Sequence, residues 1–293
     1  MPNVLRRSAV GSLATSLAIL TACSGIEPAA PPMQASPDAS ASRSLPHGSS
    51  LQYGTPQKLG HGMVRLYSIL DHTAHGAPIE IGYAIDAHTM EGTLPDGEST
   101  TLMLEPAEQT PAPYDFGMLN WNPSGHAPAG VYDLPHFDFH FYFTPMSALD
   151  AIVPSNPSFA AEANNVPTGG KVPPLYFIAA PPPLTPADIA VPGMGVHWND
   201  LRSPELQKLL GNPAKWAPFS TTFIYGSWNG EFTFAEPMIT RAYLLAKSDV
   251  STDIPTPAIV PETGWYPTAY RSYYDATKRE YRVAITSFVW RNK

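Results

Sequence analysis

The densest pattern in the chain is an alternation. Pro135-His136-Phe137-Asp138-Phe139-His140-Phe141-Tyr142-Phe143-Thr144-Pro145 puts phenylalanine at every second position between two prolines. Successive side chains of a strand point to opposite faces. Phe137, Phe139, Phe141 and Phe143 therefore share one face, and His136, Asp138, His140 and Tyr142 share the other. A helix would also bring His136 and His140 together, but the sustained alternation and the bracketing prolines favour a strand. The phenylalanine face is the one that belongs in a core.

Shorter apolar runs at 63–70, 79–85, 100–104, 175–179, 239–246 and 281–290 read as further strands. Trp228-Asn229-Gly230 lies between runs at 221–225 and 231–234. Asn-Gly between such runs is the strongest short-range signal for a hairpin. Helical pieces are brief, at 146–152, 186–190 and 204–210, the last behind Ser203 as an N-cap. With 34 prolines in 293 residues, long helices are disfavoured. The expected fold is mainly β, an antiparallel sandwich or barrel with short helical insertions, forming one domain over 51–293.

The N-terminal segment follows a different logic. Arg6 and Arg7 precede an apolar run over 9–20, which ends in Leu20-Thr21-Ala22-Cys23. A basic start, a short apolar stretch and small residues at a cut form a secretory leader. This one resembles the signal peptide and lipobox of bacterial lipoproteins, and Cys23 is the only cysteine in the chain. The resemblance implies cleavage before Cys23, a diacylglycerol on its sulfur and an acyl chain on its new amine. Several acyl chains anchor stably where one does not. Ser24 follows, where an Asp commonly retains Gram-negative lipoproteins in the inner membrane. The resemblance thus points to an outer-membrane anchor facing the periplasm, with the lipid bilayer as partner. Residues 24–50 are rich in Ala, Pro and Ser and read as a tether. No later stretch is apolar for long enough to span a bilayer.

Charge and cysteine content narrow the function classes. The net charge is −8, and loss of Arg6 and Arg7 with the leader would leave 15 basic residues against 25 acidic ones. Phosphate binding needs a basic stripe, so nucleic acid is not an expected partner. With Cys23 assigned to lipid, neither a disulfide framework nor a thiolate metal site is available. No glycine loop for phosphate and no G-x-S-x-G elbow is present.

The polar face of the alternating segment holds the candidate chemistry. Imidazole and carboxylate are the usual ligands of Zn, Mn, Fe or Ni where thiolate is absent. His136 and His140 stand roughly 13 Å apart along a flat strand, too far for one ion without a bulge. Neighbouring pairs are more natural: His136 with Asp138, or Asp138 with His140. Asp138 could instead fix an imidazole tautomer by hydrogen bond. Three positions elsewhere in the chain compete to complete a shell. His197 lies in a Gly-rich turn beside Trp198, and Glu236 closes the second hairpin arm on a face shared with Phe232 and Phe234. His126, in a turn-rich loop, reads as a surface histidine. The candidate metal ligands are thus His136, Asp138, His140, His197 and Glu236, in a divalent transition-metal site of unassigned reaction. The competing class is a non-catalytic envelope interaction or assembly module without metal. Its histidine face would be satisfied internally or buried between subunits of a homo-oligomer.

Trp121-Asn122-Pro123 with Gly125-His126, the segment from Pro135 to Tyr142, the block from Gly193 to Trp198, and Phe234 to Met238 together are similar to a family of uncharacterised secreted bacterial proteins. That family implies a β-rich domain and favours the matching histidines and glutamate, but it brings no reaction. A weaker similarity is to cupins, whose metal is held by two histidines of one strand, a Glu and a distant His. The order and spacing here depart from that pattern, so no cupin activity is carried over.

Overall fold

A computed structural model describes residues 45–293, so the expected leader, Cys23 and most of the expected tether lie outside the described residues. The chain forms strands β1 (Ser49–Tyr53), β2 (Gln57–Leu59), β3 (Gly62–Asp71), β4 (Ala77–Asp86), β5 (Thr100–Leu104), β6 (Phe116–Asn122) and β7 (His136–Tyr142). It continues with β8 (Tyr176–Ile178), β9 (Val196–Asp200), β10 (Thr221–Trp228), β11 (Glu231–Thr240), β12 (Val250–Asp253), β13 (Gly264–Asp275) and β14 (Glu280–Arg291). They build two antiparallel sheets of seven strands each. One is ordered β1-β3-β4-β14-β13-β12 with β2 added on β3, the other β5-β6-β7-β11-β10-β9-β8. The two sheets pack face to face as a sandwich, and neither closes into a barrel. The first strand begins at Ser49, two residues before the expected domain boundary.

The inner faces meet as the alternation dictates. Phe137, Phe139 and Phe141 of β7 are buried with Leu66, Tyr83, Ile85 and Val283 of the opposite sheet in one apolar cluster. Tyr83 packs edge-on against both Phe139 and Phe141, at ring distances of 5.2 and 5.1 Å. Its hydroxyl donates to the backbone carbonyl of His140 at 2.5 Å. The opposite sheet thereby braces the backbone of β7 from below, directly behind a residue of the polar face.

The hairpin forms where Asn-Gly predicts it. Asn229 and Gly230 both take positive φ, 46° and 84°, as the tight turn between right-twisted strands requires. Two expectations are corrected nearby. The run 239–246 is not a strand: β11 ends at Thr240, whose side chain accepts from the Tyr243 backbone N–H and caps the helix Arg241–Leu245. Residues 204–206 form a single 3-10 turn rather than a longer helix, and Ser203 makes no capping bond. Strands β1, β2, β6, β9, β12 and β13 lie outside the expected runs; β6 and β13 lack clean alternation of apolar and polar residues, and β2, β9 and β12 are short.

The polar face of β7 is not solvated. Two apolar clusters cover it, both built from long connections that fold back over the sheet. Leu149, Ile152 and Phe159 pack on Phe116, Met118, Tyr142 and Phe234. Val131, Tyr132, Leu206 and Phe219 pack on Ile224 and Met238. The histidines and carboxylates lie between these clusters, and His136, Asp138, His140 and Glu236 are all buried.

Candidate metal centre

Register decides which side chains meet. β7 lies between β6 and β11, with Asn122 opposite His136, Asn120 opposite Asp138 and Met118 opposite His140. On the other side Ala235 pairs with Phe141 and Met238 with Asp138. Glu236 and His140 fall between these pairs as cross-strand neighbours. Next along the sheet, Glu236 pairs with Ile224 of β10, and His197 of β9 pairs with Gly226 of β10.

Glu236 reaches this face through a bulge. Gly226 pairs with Phe234 but Ser227 pairs with Phe232, so β11 carries one extra residue at Thr233. A bulge reverses the phase of a strand. Phe232 accordingly points into the sandwich core, while Phe234, Glu236 and Met238 point to the outer face. The expectation that Glu236 shares a face with Phe232 is corrected on this ground. Gly226 has its own part in the arrangement: a Cβ there would sit 2.0 Å from the Phe234 ring. Without it, that ring packs 4.8 Å from His140 and 5.5 Å from His197.

The five candidate ligands do not form one shell. They fall into two groups, each completed by two histidines and one carboxylate: His140, His197 and Glu236 in one, His126, His136 and Asp138 in the other. Within each group the candidate ligand atoms all lie within 4.8 Å of one another. The sixth residue, His126, is the one sequence reasoning left on the surface. Its side chain is 39% exposed, but its loop turns back through a bridge between His126 and Tyr132. That turn stacks its ring edge-on 4.7 Å from His136. The Gly125-His126 step beside Asn122 was the available signal, but its meaning depended on how the loop returned.

Hydrogen bonding sets the lone pairs. In His126, His136 and His140 the Nδ1 atom lies on a backbone carbonyl, of Ala127 at 2.7 Å, Leu134 at 2.7 Å and Met118 at 3.1 Å. A carbonyl only accepts, so each Nδ1 carries the proton, and a neutral ring offers its lone pair at Nε2. Each Nε2 then faces a carboxylate: His136 to Asp138 Oδ1 at 3.1 Å, His126 to Asp138 Oδ2 at 3.4 Å, and His140 to Glu236 Oε2 at 3.3 Å. His197 Nε2 stands 3.8 Å from the same Glu236 oxygen.

These contacts are not ordinary hydrogen bonds. His140 Nε2, Glu236 Oε2 and Asp138 Oδ1 are buried and have no hydrogen-bond partner. Buried polar atoms are almost always paired, so three orphans on one face require a reason. A shared cation supplies one. Two ligand atoms each about 2.0–2.1 Å from a common ion stand roughly 2.9 Å apart at a right angle and 3.4 Å apart at the tetrahedral angle. The separations of 3.1, 3.3 and 3.4 Å fall in that interval, and the 3.8 Å between His197 and Glu236 lies beyond it. Ring protons held by carbonyls are also the usual support of metal-bound histidine.

Electrostatics separate the two groups. Burial lowers His140 to about 4, so its ring is neutral at neutral pH with the lone pair free. Burial lowers His197 as well, ahead of the effect of nearby His140. Glu236 is pushed well above the carboxylate range by burial and then by the charge of Asp138. Burial would also raise Asp138, yet hydrogen bonds and charge from the His126 and His136 rings outweigh burial and hold it low, and Asp138 in turn raises His126, so without an ion this group favours a protonated His126 donating to the carboxylate. Asn122 Nδ2 donates to Asp138 Oδ2 at 2.7 Å and fixes that carboxylate.

Another group of buried charges, on the far sheet, is saturated. Arg282 donates to Glu280 at 2.7 Å and to the Tyr53 hydroxyl at 2.9 Å, and the Tyr273 hydroxyl donates to Glu80 at 2.7 Å. It reads as scaffold. Glu205 is a different case: it is buried, its Oε1 has no partner, and burial raises its pKa. A raised carboxyl favours the neutral form. Its contribution is therefore least unfavourable below the ordinary carboxylate pKa and worsens as pH rises through the folded value. In Glu205→Gln the decline in stability from pH 5 to pH 8 is expected to shrink by about 1 kcal/mol. Melting curves at both pH values check this, and an undiminished decline counts against it.

Comparison of the chain with protein-family models, curated proteins and solved structures finds no match. The functional reading therefore rests on the geometry of the site.

Proposed function

We propose that this protein is a lipid-anchored envelope protein of bacteria whose β-sandwich binds a divalent transition-metal ion. The centre is His140, His197 and Glu236, drawn from β7, β9 and β11. The observation that carries the reading is the facing pair of orphans, His140 Nε2 and Glu236 Oε2, 3.3 Å apart and buried. Without an ion, only a proton on the Glu236 carboxyl, which burial favours, could satisfy the His140 lone pair across this 3.3 Å gap; an ion would take that proton's place. Two imidazoles and one carboxylate suit Zn, Mn, Fe or Ni, and three protein ligands leave a position open. An ion so held supplies Lewis acidity to whatever occupies that position. His197, 22% exposed, marks the side on which the centre meets solvent.

The anchor rests on Cys23 and the leader before it. The outer-membrane assignment rests on Ser24. Among the described residues no helix is long and apolar enough to cross a membrane.

Elemental analysis of untagged protein tests the ion. One equivalent per chain is expected to disappear in Glu236→Gln with the fold intact by circular dichroism. An unchanged metal content overturns the centre. For the anchor, Cys23→Ser is expected to move the protein from the membrane to the soluble fraction. Continued sedimentation with membranes rejects acylation at that residue.

A further inference from the structure

We propose that the chain holds a second divalent ion, at His126, His136 and Asp138, so that the outer face of β7 carries a two-ion centre. The inference rests on the first ion being real and adds a site of the same chemistry beside it.

Four observations converge on this second position. Asp138 is 5% exposed, and its Oδ1 has no hydrogen-bond partner although His136 Nε2 lies 3.1 Å away. With its Nδ1 proton on the Leu134 carbonyl, a neutral His136 ring turns a lone pair toward that oxygen; Asn122 Nδ2 reaches the same nitrogen at 3.4 Å, a long contact that an ion between nitrogen and carboxylate would displace. His126 Nε2 approaches the other carboxylate oxygen at 3.4 Å. Both rings are fixed by Nδ1 on main-chain carbonyls at 2.7 Å, from Ala127 and Leu134. The carboxylate is fixed by Asn122 at 2.7 Å. A site assembled from three ligands and three supporting bonds is more than a chance cluster of charge.

One ion cannot serve both groups. His136 and His140 are four residues apart on a continuous strand, roughly 13 Å between Cα atoms. Each ring meets a different carboxylate, Asp138 for His136 and Glu236 for His140. The two positions lie at opposite ends of the row from His136 to His140, one on Asp138 and the other on Glu236. Each ion would have one negative ligand of its own, which offsets part of the mutual repulsion of two divalent ions. Each position, held by three protein ligands, would keep an unfilled coordination site.

His126 makes the inference testable without endangering the fold, because it is an exposed loop residue. The full chain is stripped with a chelator, dialysed against Zn(II) and analysed for zinc per protein. Two equivalents are expected for the native chain, one for His126→Ala, one for Glu236→Gln and none for the double variant. If the native chain binds one zinc that His126→Ala keeps and Glu236→Gln loses, the second site is wrong and the first stands. If it binds one zinc that either substitution removes, a single shared ion replaces the two-ion centre. Two equivalents retained in His126→Ala would place the second ion elsewhere and overturn the assignment. No zinc in the native chain overturns both readings. His197→Ala, at a partly exposed position, replaces Glu236→Gln if the buried substitution unfolds the protein.

Discussion

Adding excess Zn(II) to chelator-stripped protein is expected to raise the melting temperature by about 10 °C. A ligand that binds only the folded state stabilises it by about 4 kcal/mol when present at a thousand times its dissociation constant. For a domain of this size each kcal/mol moves the midpoint by roughly 2–4 °C. The stripped protein keeps orphaned atoms in a buried place: His140 Nε2, Glu236 Oε2 and Asp138 Oδ1. Loading removes that penalty and cross-links β7, β9 and β11 with the loop that carries His126. Differential scanning calorimetry with and without zinc, and again after excess chelator, gives the answer. A shift below 1 °C, reversible or not, would show that these atoms do not receive an ion. The same titration with Mg(II) is expected to do little, because Mg(II) prefers an all-oxygen, largely hydrated shell.

The second large effect lies on the opposite face of the same strand. Phe139→Ala is expected to cost 3–5 kcal/mol, about the range for deleting a buried ring. Phe139 is fully buried, contacts Tyr83 at 5.2 Å and Phe137 at 5.8 Å, and occupies the centre of the sandwich. Relaxation of Tyr83 toward the gap would pull its hydroxyl from the His140 carbonyl. Zinc affinity is therefore expected to fall along with stability, even though Phe139 touches no ligand atom. Urea denaturation measures the first effect and competition with a chromogenic chelator the second. Stability lost by less than 1 kcal/mol would mean that the two sheets do not depend on this ring.

Much of this was readable from residue order. The alternation in β7 correctly separates a core face from a face of histidines and a carboxylate. It also separates His136 from His140 as partners of one ion, since a period of two fixes their spacing. The Asn-Gly turn fixes the β10–β11 hairpin. Legibility fails where the outcome depends on the return path of a long connection. His126 has no local pattern to mark it; its place over β7 comes from the bridge to Tyr132, and from Val131 and Tyr132 packing with Phe219 and Met238. The burial of the polar face has the same origin, because its cover comes from segments that show no regular period. Strand β6 escaped notice since both its faces are buried, one under the sandwich and one under the cover. A strand of that kind lacks the apolar–polar contrast on which pattern reading relies.

The doubled residue at Thr233 has a consequence of its own. It lets a single strand serve two clients, giving Phe232 and Ala235 to the interior and Phe234 and Glu236 to the outside, where straight pleating would force a choice. Shortening the chain there by one residue would act as a frameshift in three dimensions. Every group from one side of the insertion would be dealt to the wrong layer, with no single amino acid changed in kind. Variation among descendants of this sequence should accordingly tolerate exchanges of side chain around the hairpin far more readily than any change in its length.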